Sequence, residues 1–245
     1  MGADSGTFSR RALPADRPGR KPVPAREILE AVLWILDTGA QWDTLPQSFP
    51  NYKTVHRRFQ PWCLQDVLRT FLTDLANPLR EEGVIDERER FIDATFAFAK
   101  GGGDEIGPTK RGKGVKILAI ADRHGLPLSV STHAANHHEV TLVQLSFDFC
   151  VLEAEPGHLM GGRAYDSDRP NANLAAEGES DCADRKNRKT QDGRPLRRYA
   201  RRWRVERFFA WMQWKRRLLA CWEFYERTSW GFVQLAAMTV LLRRI

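Results

Sequence analysis

The chain has 245 residues, enough for one sizeable domain and a smaller one, and 38 Lys and Arg against 31 Asp and Glu leave it at +7 with a pI of about 9.5. That balance favours a polyanionic partner. Four scattered cysteines (Cys63, Cys150, Cys182, Cys221) with no Cys-x-x-Cys pair argue against a disulfide or zinc framework and for a reduced, cytoplasmic setting.

Residues 1–22 are polar and basic without an apolar run, so they read as a disordered tail and not a signal peptide. "PAREILEAVLWILDTG", residues 24–39, predicts a helix: Pro24 near its start, Ile28, Leu29, Val32, Leu33 and Leu36 on one face, Gly39 as its stop. A broken loop through "QWDTLP" and "SFPNY" leads to a second helix, "YKTVHRRFQPW", which carries Arg57 and Arg58. A third helix covers about Leu64 to Leu79. Three short helices over 23–82 with basic residues on the middle one resemble a helix-turn-helix DNA-binding module; generic three-helix packing fits the same pattern. "REEGVIDERE" is the expected linker into a second domain, 83–245.

The period then changes to that of strands. "RFIDATFAFA" alternates, "GVKILAIAD" is apolar on both faces, and "LPLSVST" follows a turn at Asp122-Arg123-His124-Gly125. A helix from His138 to Phe149, a short strand "HLMGG" and a helix near "RPNANLAAEG" come next. The basic loop "DRKNRKTQDGRP" leads into a long helix, Leu196 to Leu219. The closing run "WGFVQLAAMTVLL" is too short to span a bilayer and reads as a core helix, so no membrane partner is expected. Three strands, helix, strand, helix and late helices match an α/β, RNase H-like mixed sheet flanked by helices, preceded by the small all-α unit.

Two acids stand out. Asp93 lies among Phe91, Ile92, Phe96 and Phe98, where a charge is costly unless paired or bound to a cation; an edge Asp reaching solvent is the plain alternative. Glu206 shares a 3-and-4-spaced helical stripe with Tyr199, Arg202, Phe209 and Gln213. From Arg185 to Arg217 there are 14 Lys and Arg against two acids, Asp192 and Glu206. A surface salt bridge is the ordinary role for such a Glu. The chemical role is a metal ligand whose neighbouring arginines grip phosphates through their planar forks. Strand-borne and helix-borne acids far apart in sequence are what a two-metal phosphodiester site assembles.

"IDATFAFAK", "KRGKGVKILAIADRHGLPLSVSTHAANHHEVTL", "RAYDSD", "NRKTQDGRPLRRYARRWRVERFFAW" and "FVQLAAMTVLLRR" together resemble bacterial insertion-sequence transposases of the DDE type, in the group with a Tyr-x2-Arg-x3-Glu signature. The resemblance runs from about residue 25 to the end, its front part matching the family's DNA-binding region. It implies Mg²⁺ (or Mn²⁺) chemistry on double-stranded DNA at an element's inverted ends and in a target, a homodimer in synapsis, and a nucleoid-associated cytoplasmic location. The family's first catalytic Asp falls on Asp93, its Glu on Glu206, and its signature Tyr and Arg on Tyr199 and Arg202. The Lys or Arg expected seven residues past the Glu is Gln213, with Lys215 and Arg216 as substitutes. Arg198 and Arg201 join the expected phosphate contacts. The second catalytic Asp should stand at position 162, where this chain has Gly162. Asp166 is the nearest acid able to replace it as catalytic and metal-binding residue, although its family counterpart shapes the next turn; Asp168 suits a helix N-cap.

Other features invite plainer roles. His133, His137 and His138 cluster without the His-Glu-x-x-His spacing of a zinc helix. Asp122 suits turn chemistry. Trp203, Trp211 and Trp214 fit core packing or base stacking.

Overall fold

The computed structural model describes residues 21–151, 158–161, 180–181 and 203–245. Helix α1 (Ala25–Thr38) buries Ile28, Ala31, Val32, Ile35 and Leu36 and stops at Gly39, whose φ of 70° lies in the left-handed region that a side chain would disfavour. A single 3-10 turn, Trp42–Thr44, precedes α2 (Tyr52–Leu64), where the Asn51 side chain accepts a hydrogen bond from the Lys53 N–H at 3.0 Å. Helix α3 (Val67–Glu81) begins directly after Asp66.

Seven strands form one mixed sheet: β1 (Glu89–Ala99), β2 (Gly107–Thr109), β3 (Gly112–Ala121), β4 (Pro127–Ala134), β5 (His158–Met160), β6 (Ser180–Asp181) and β7 (Ala220–Cys221). Strand β3 pairs antiparallel with β1 on one edge and with β4 and β2 on the other. Strands β1, β5 and β6 run parallel, so β4-β3-β1-β5-β6 is the order across the sheet. Three antiparallel strands followed by parallel ones give the RNase H-like α/β core that the element order predicts. Helices α4 (Glu139–Asp148), α5 (Trp203–Gln213) and α6 (Glu226–Leu241) complete the fold.

Helix α6 is apolar nearly all round and buried accordingly, packing on β4 from one side and on α2 and α3 from the other. Phe232 stacks at 5.0 Å on Phe59 of α2 and at 5.8 Å on Trp42. The amino-terminal helices and the sheet therefore share one continuous core through this last helix.

The long helix expected to reach Leu219 ends at Gln213. Lys215 turns extended and pairs with Asp37 at 2.6 Å, and a 3-10 turn, Arg216–Leu218, carries the buried Arg217 to the carbonyl of Ala40 at 2.8 Å. Contacts with the end of α1 stop the helix, and Gly39 leaves the space: a Cβ there would sit 3.0 Å from Arg216. Strands β2, β6 and β7 were not foreseen. The helix expected near 169–178, the basic loop 184–195 and residues 1–20 of the tail lie outside the described residues.

Candidate active site

Asp93 pairs in register with Ala119 on β3, and one carboxylate oxygen accepts from the Ala94 N–H at 2.9 Å. Its side chain is half-buried and shares a sheet face with Phe91, Thr95 and Ala97. The edge of β1 away from β3 is covered at two places. Strand β5 pairs with Glu89–Phe91, and β7 pairs with Phe98 and Ala99. Among the described residues no strand covers that edge from Ile92 to Ala97, and Asp93 sits in this notch. The last pair, Phe91 with Met160, falls two residues before Asp93 on one strand and two before position 162 along the other.

Helix α5, which carries Glu206, packs across β1 and β3. Val205, Phe208, Phe209 and Met212 form its buried face, spaced as a helical stripe must be. Glu206 is exposed in the first turn, on the flank of that face beside Phe209. The strand bearing Asp93 and the helix bearing Glu206 are thus direct neighbours.

The first turns of α5 are fastened to the β3–β4 turn. Arg207 donates to the carbonyl of His124. Gly125, at φ 79°, lies so close that a Cβ would meet the Arg204 carbonyl at 2.9 Å. Asp122, fully buried, accepts backbone N–H groups of Asp86, His124 and Leu126 at 3.0, 2.8 and 2.7 Å. Burial raises its carboxyl pKa even though these bonds oppose the shift. This is the turn role its position in the sequence suggests.

Of the expected DNA contacts, Arg57 is exposed on α2, Arg58 reaches the Val23 carbonyl at 3.3 Å, Lys215 is paired with Asp37, and Arg216 is exposed beside Gly39. Gly162, Asp166, Asp168, Arg198, Tyr199, Arg201 and Arg202 lie outside the described residues. No group of three or more His, Cys, Asp or Glu among the described residues could hold a metal ion. Within the histidine cluster, the His133 ring lies 2.8 Å from the Ser131 hydroxyl, and burial holds its pKa down. Cys63, Cys150 and Cys221 are free thiols. No described helix is long and apolar enough to cross a membrane.

One cluster escaped the sequence reading. Trp203, Arg207 and Trp211 follow one another at intervals of four, and in space the Arg207 guanidinium lies 4.9 Å from one indole and 5.0 Å from the other. Arg-between-Trp at i, i+4, i+8 was the available signal. Trp203 and Trp214 are 47% and 79% exposed, so neither is the core residue that helical Trp most often is.

Comparison with known proteins places the chain in a family. The family described as "Transposase DDE domain" matches residues 85–242, and "Putative transposase of IS4/5 family (DUF4096)" matches residues 8–72. The chain belongs to the DDE transposase-domain family. It is similar to an insertion element IS402 uncharacterized 16.2 kDa protein of Burkholderia cepacia, 32% identical over 38% of this chain and 64% of that protein. It also resembles uncharacterized protein y4sN of Sinorhizobium fredii (strain NBRC 101917 / NGR234), 37% identical over 21% of this chain and 41% of that protein. The chain thus spans less than two thirds of the length of these curated relatives. Among solved structures, a piggyBac transposase synaptic complex with hairpin DNA gives a TM-score of 0.40 at 12% identity, over 76% of this chain and 47% of that chain. A pre-cleavage Mos1 transpososome gives 0.31 at 11% identity, over 93% and 81%.

Proposed function

We propose that this protein is an insertion-sequence DNA transposase that binds its element's ends and cuts and joins phosphodiester bonds with Mg²⁺, Mn²⁺ serving in its place. The observation that carries the reading is Asp93 in the notch of β1, with the helix bearing Glu206 laid across the same strand. Residues 23–82 are the DNA-binding part and 83–245 the catalytic part. Two copies act together in synapsis.

Asp93 and Glu206 supply the hard carboxylate oxygens that Mg²⁺ prefers, from two rigid elements. One of the Asp93 oxygens accepts from the Ala94 N–H. Bound between such carboxylates, divalent ions would lower the pKa of an attacking water or 3′-hydroxyl and neutralise the leaving oxygen. Asp93 and Glu206 hold and orient that charge, while Arg198, Tyr199, Arg201, Arg202, Lys215, Arg216, Arg57 and Arg58 position the DNA backbone. Asp166 is the remaining candidate ligand.

A second reading is favoured by one residue. Gly162 stands where the family resemblance expects the middle Asp, and glycine can ligate nothing through a side chain. The chain would then bind element ends without cutting them, as a repressor does. Loss of one ligand from a two-metal site, at about 4 kcal/mol of transition-state stabilisation, lowers the rate about a thousandfold. The test is Mg²⁺-dependent cleavage of a labelled terminal repeat by the natural chain, by Gly162→Asp and by Asp93→Ala. Cleavage by the natural chain that Asp93→Ala abolishes supports the enzyme. Cleavage only by Gly162→Asp supports the binding protein. End-specific binding absent from all three overturns both.

A further inference from the structure

Helix α5 has two unlike flanks. Glu206 lies on one. On the other, Arg204, Arg207 and Trp211 come together with Arg244 at the end of the chain: the Arg204 and Arg207 guanidinium carbons lie 5.3 and 4.9 Å from the Trp203 ring, and Arg207 and Arg244 lie 5.0 and 5.6 Å from Trp211. Three guanidiniums lie within cation–π range of two indoles, which restrains where their charges sit.

The cluster is short of negative charge. No carboxylate among the described residues forms an ion pair with Arg204, Arg207 or Arg244. Among the described residues, the acid that acts on Arg207 is Asp122, whose oxygens are already taken by three backbone N–H groups and whose burial disfavours its charge. Arg204 Nε and Arg207 Nε are buried and have no hydrogen-bond partner. Burial, and then the proximity of Arg204 and Arg244, lowers the pKa of Arg207. Guanidiniums that repel one another and are under-satisfied among the described residues gain from an anion that neutralises them. Arg204 and Arg207 are only half-buried, and Arg244 and Trp203 are exposed, so a ligand can reach them.

We propose that Arg204, Arg207 and Arg244, held by Trp203 and Trp211, form a second backbone-phosphate site for duplex DNA, on the flank of α5 turned away from Glu206. The site rests on the reading that the chain handles DNA, and it adds a contact separate from the carboxylates. Phosphate is the matching ligand because guanidinium forks bind it with paired charge-assisted hydrogen bonds. A duplex is favoured over a free anion because stacked arginines present a fixed row, which suits successive phosphates of a strand.

The experiment measures anisotropy of a short labelled duplex of unrelated sequence, titrated with the full chain over a range of salt. Each phosphate contact contributes a slope of about 0.9 in log affinity against log salt, so Arg204→Gln/Arg244→Gln should flatten the slope by about 1.8. Lys113→Gln, which removes an exposed charge at the start of β3, outside the DNA-binding part, should leave it unchanged. Thermal unfolding of each variant confirms folding, and Arg204→Gln and Arg244→Gln made singly should each remove about half the change. An unchanged slope in the double variant overturns the site, as does an equal change in Lys113→Gln. Saturable binding of inorganic phosphate that excess duplex fails to displace overturns the duplex assignment. Cleavage of element ends, measured in parallel, reports on the proposed activity alone, so either idea can fail while the other stands.

Discussion

Glu223→Gln tests whether one buried ion pair holds the carboxyl-terminal half of the fold onto α1. Arg217 and Glu223 are 3% and 8% exposed, with Arg217 Nε donating to Glu223 Oε1 at 3.1 Å and a second bond from Nη2 to the same oxygen. Arg217 also donates to the Ala40 carbonyl at 2.8 Å and lies 5.6 Å from the Phe232 ring. Glutamine keeps the shape of Glu223 and removes its charge, leaving a guanidinium buried among aromatic rings. Breaking a buried pair from one side costs about 3–5 kcal/mol. For a chain of this size each kcal/mol lowers Tm by about 2–4 °C, so a fall of roughly 12 °C is expected. Differential scanning calorimetry measures it. Arg217→Met/Glu223→Leu should recover most of the loss, because replacing both charges by apolar groups removes the desolvation cost as well. A single variant within about 1 kcal/mol of the natural protein would refute the argument, since solvent would then be reaching the pair.

Gly125→Val forces a side chain into a φ of 79° and to within 2.9 Å of the Arg204 carbonyl, so it should cost about 1–3 kcal/mol in denaturant unfolding. It should also weaken end cleavage in whichever background cleaves, by moving the first turn of α5. Asp86 is held well below the usual carboxylate range, first by hydrogen bonding to Arg88 and also by Arg123. Its contribution is therefore fully present above the unfolded value of about 3.9 and is lost as pH falls through the depressed folded one. The stability gap between the natural chain and Asp86→Asn should narrow on acidification; a gap independent of pH would refute it. Burial pushes the Cys63 thiol far up, so a maleimide should modify it only on unfolding, read by mass spectrometry with and without denaturant.

The sheet was legible because its signals are local. "RFIDATFAFA" alternates at the strand period and became β1, and the Asp122–Gly125 turn declared itself through residues that make turns. Asp93 and Glu206 were found individually, one as an acid in an apolar strand, the other through its helical stripe. That their strand and helix pack together was not written in either segment, because it depends on α5 crossing β1 and β3. The end of α5 was misread for a similar reason. Nothing within "WMQWKRRLL" stops a helix; the stop comes from Asp37 and Ala40, 178 and 177 residues away in sequence. Two-residue strands such as β6 and β7 are likewise fixed by the neighbours they pair with.

The two flanks of α5 bear on what this family's chemistry requires. An attacking oxygen reacts only when the scissile phosphate is held within a fraction of an ångström of its in-line position, and carboxylates repel that phosphate until cations intervene. A helix that carries a carboxylate on one side and stacked arginines on the other can grip the backbone through the arginines without relying on the metal. The same helix is fastened at its start by the Arg207–His124 bond and followed by the Lys215–Asp37 pair. The proposed grip and the proposed ligand then move as one rigid piece. It follows that Arg204→Gln/Arg244→Gln should weaken duplex binding in chelator as strongly as in Mg²⁺, whereas Asp93→Ala should change binding only when Mg²⁺ is present. Binding in both variants that responds alike to chelator would show that the arginines and the carboxylates belong to one site, and the division of labour along α5 would have to be given up.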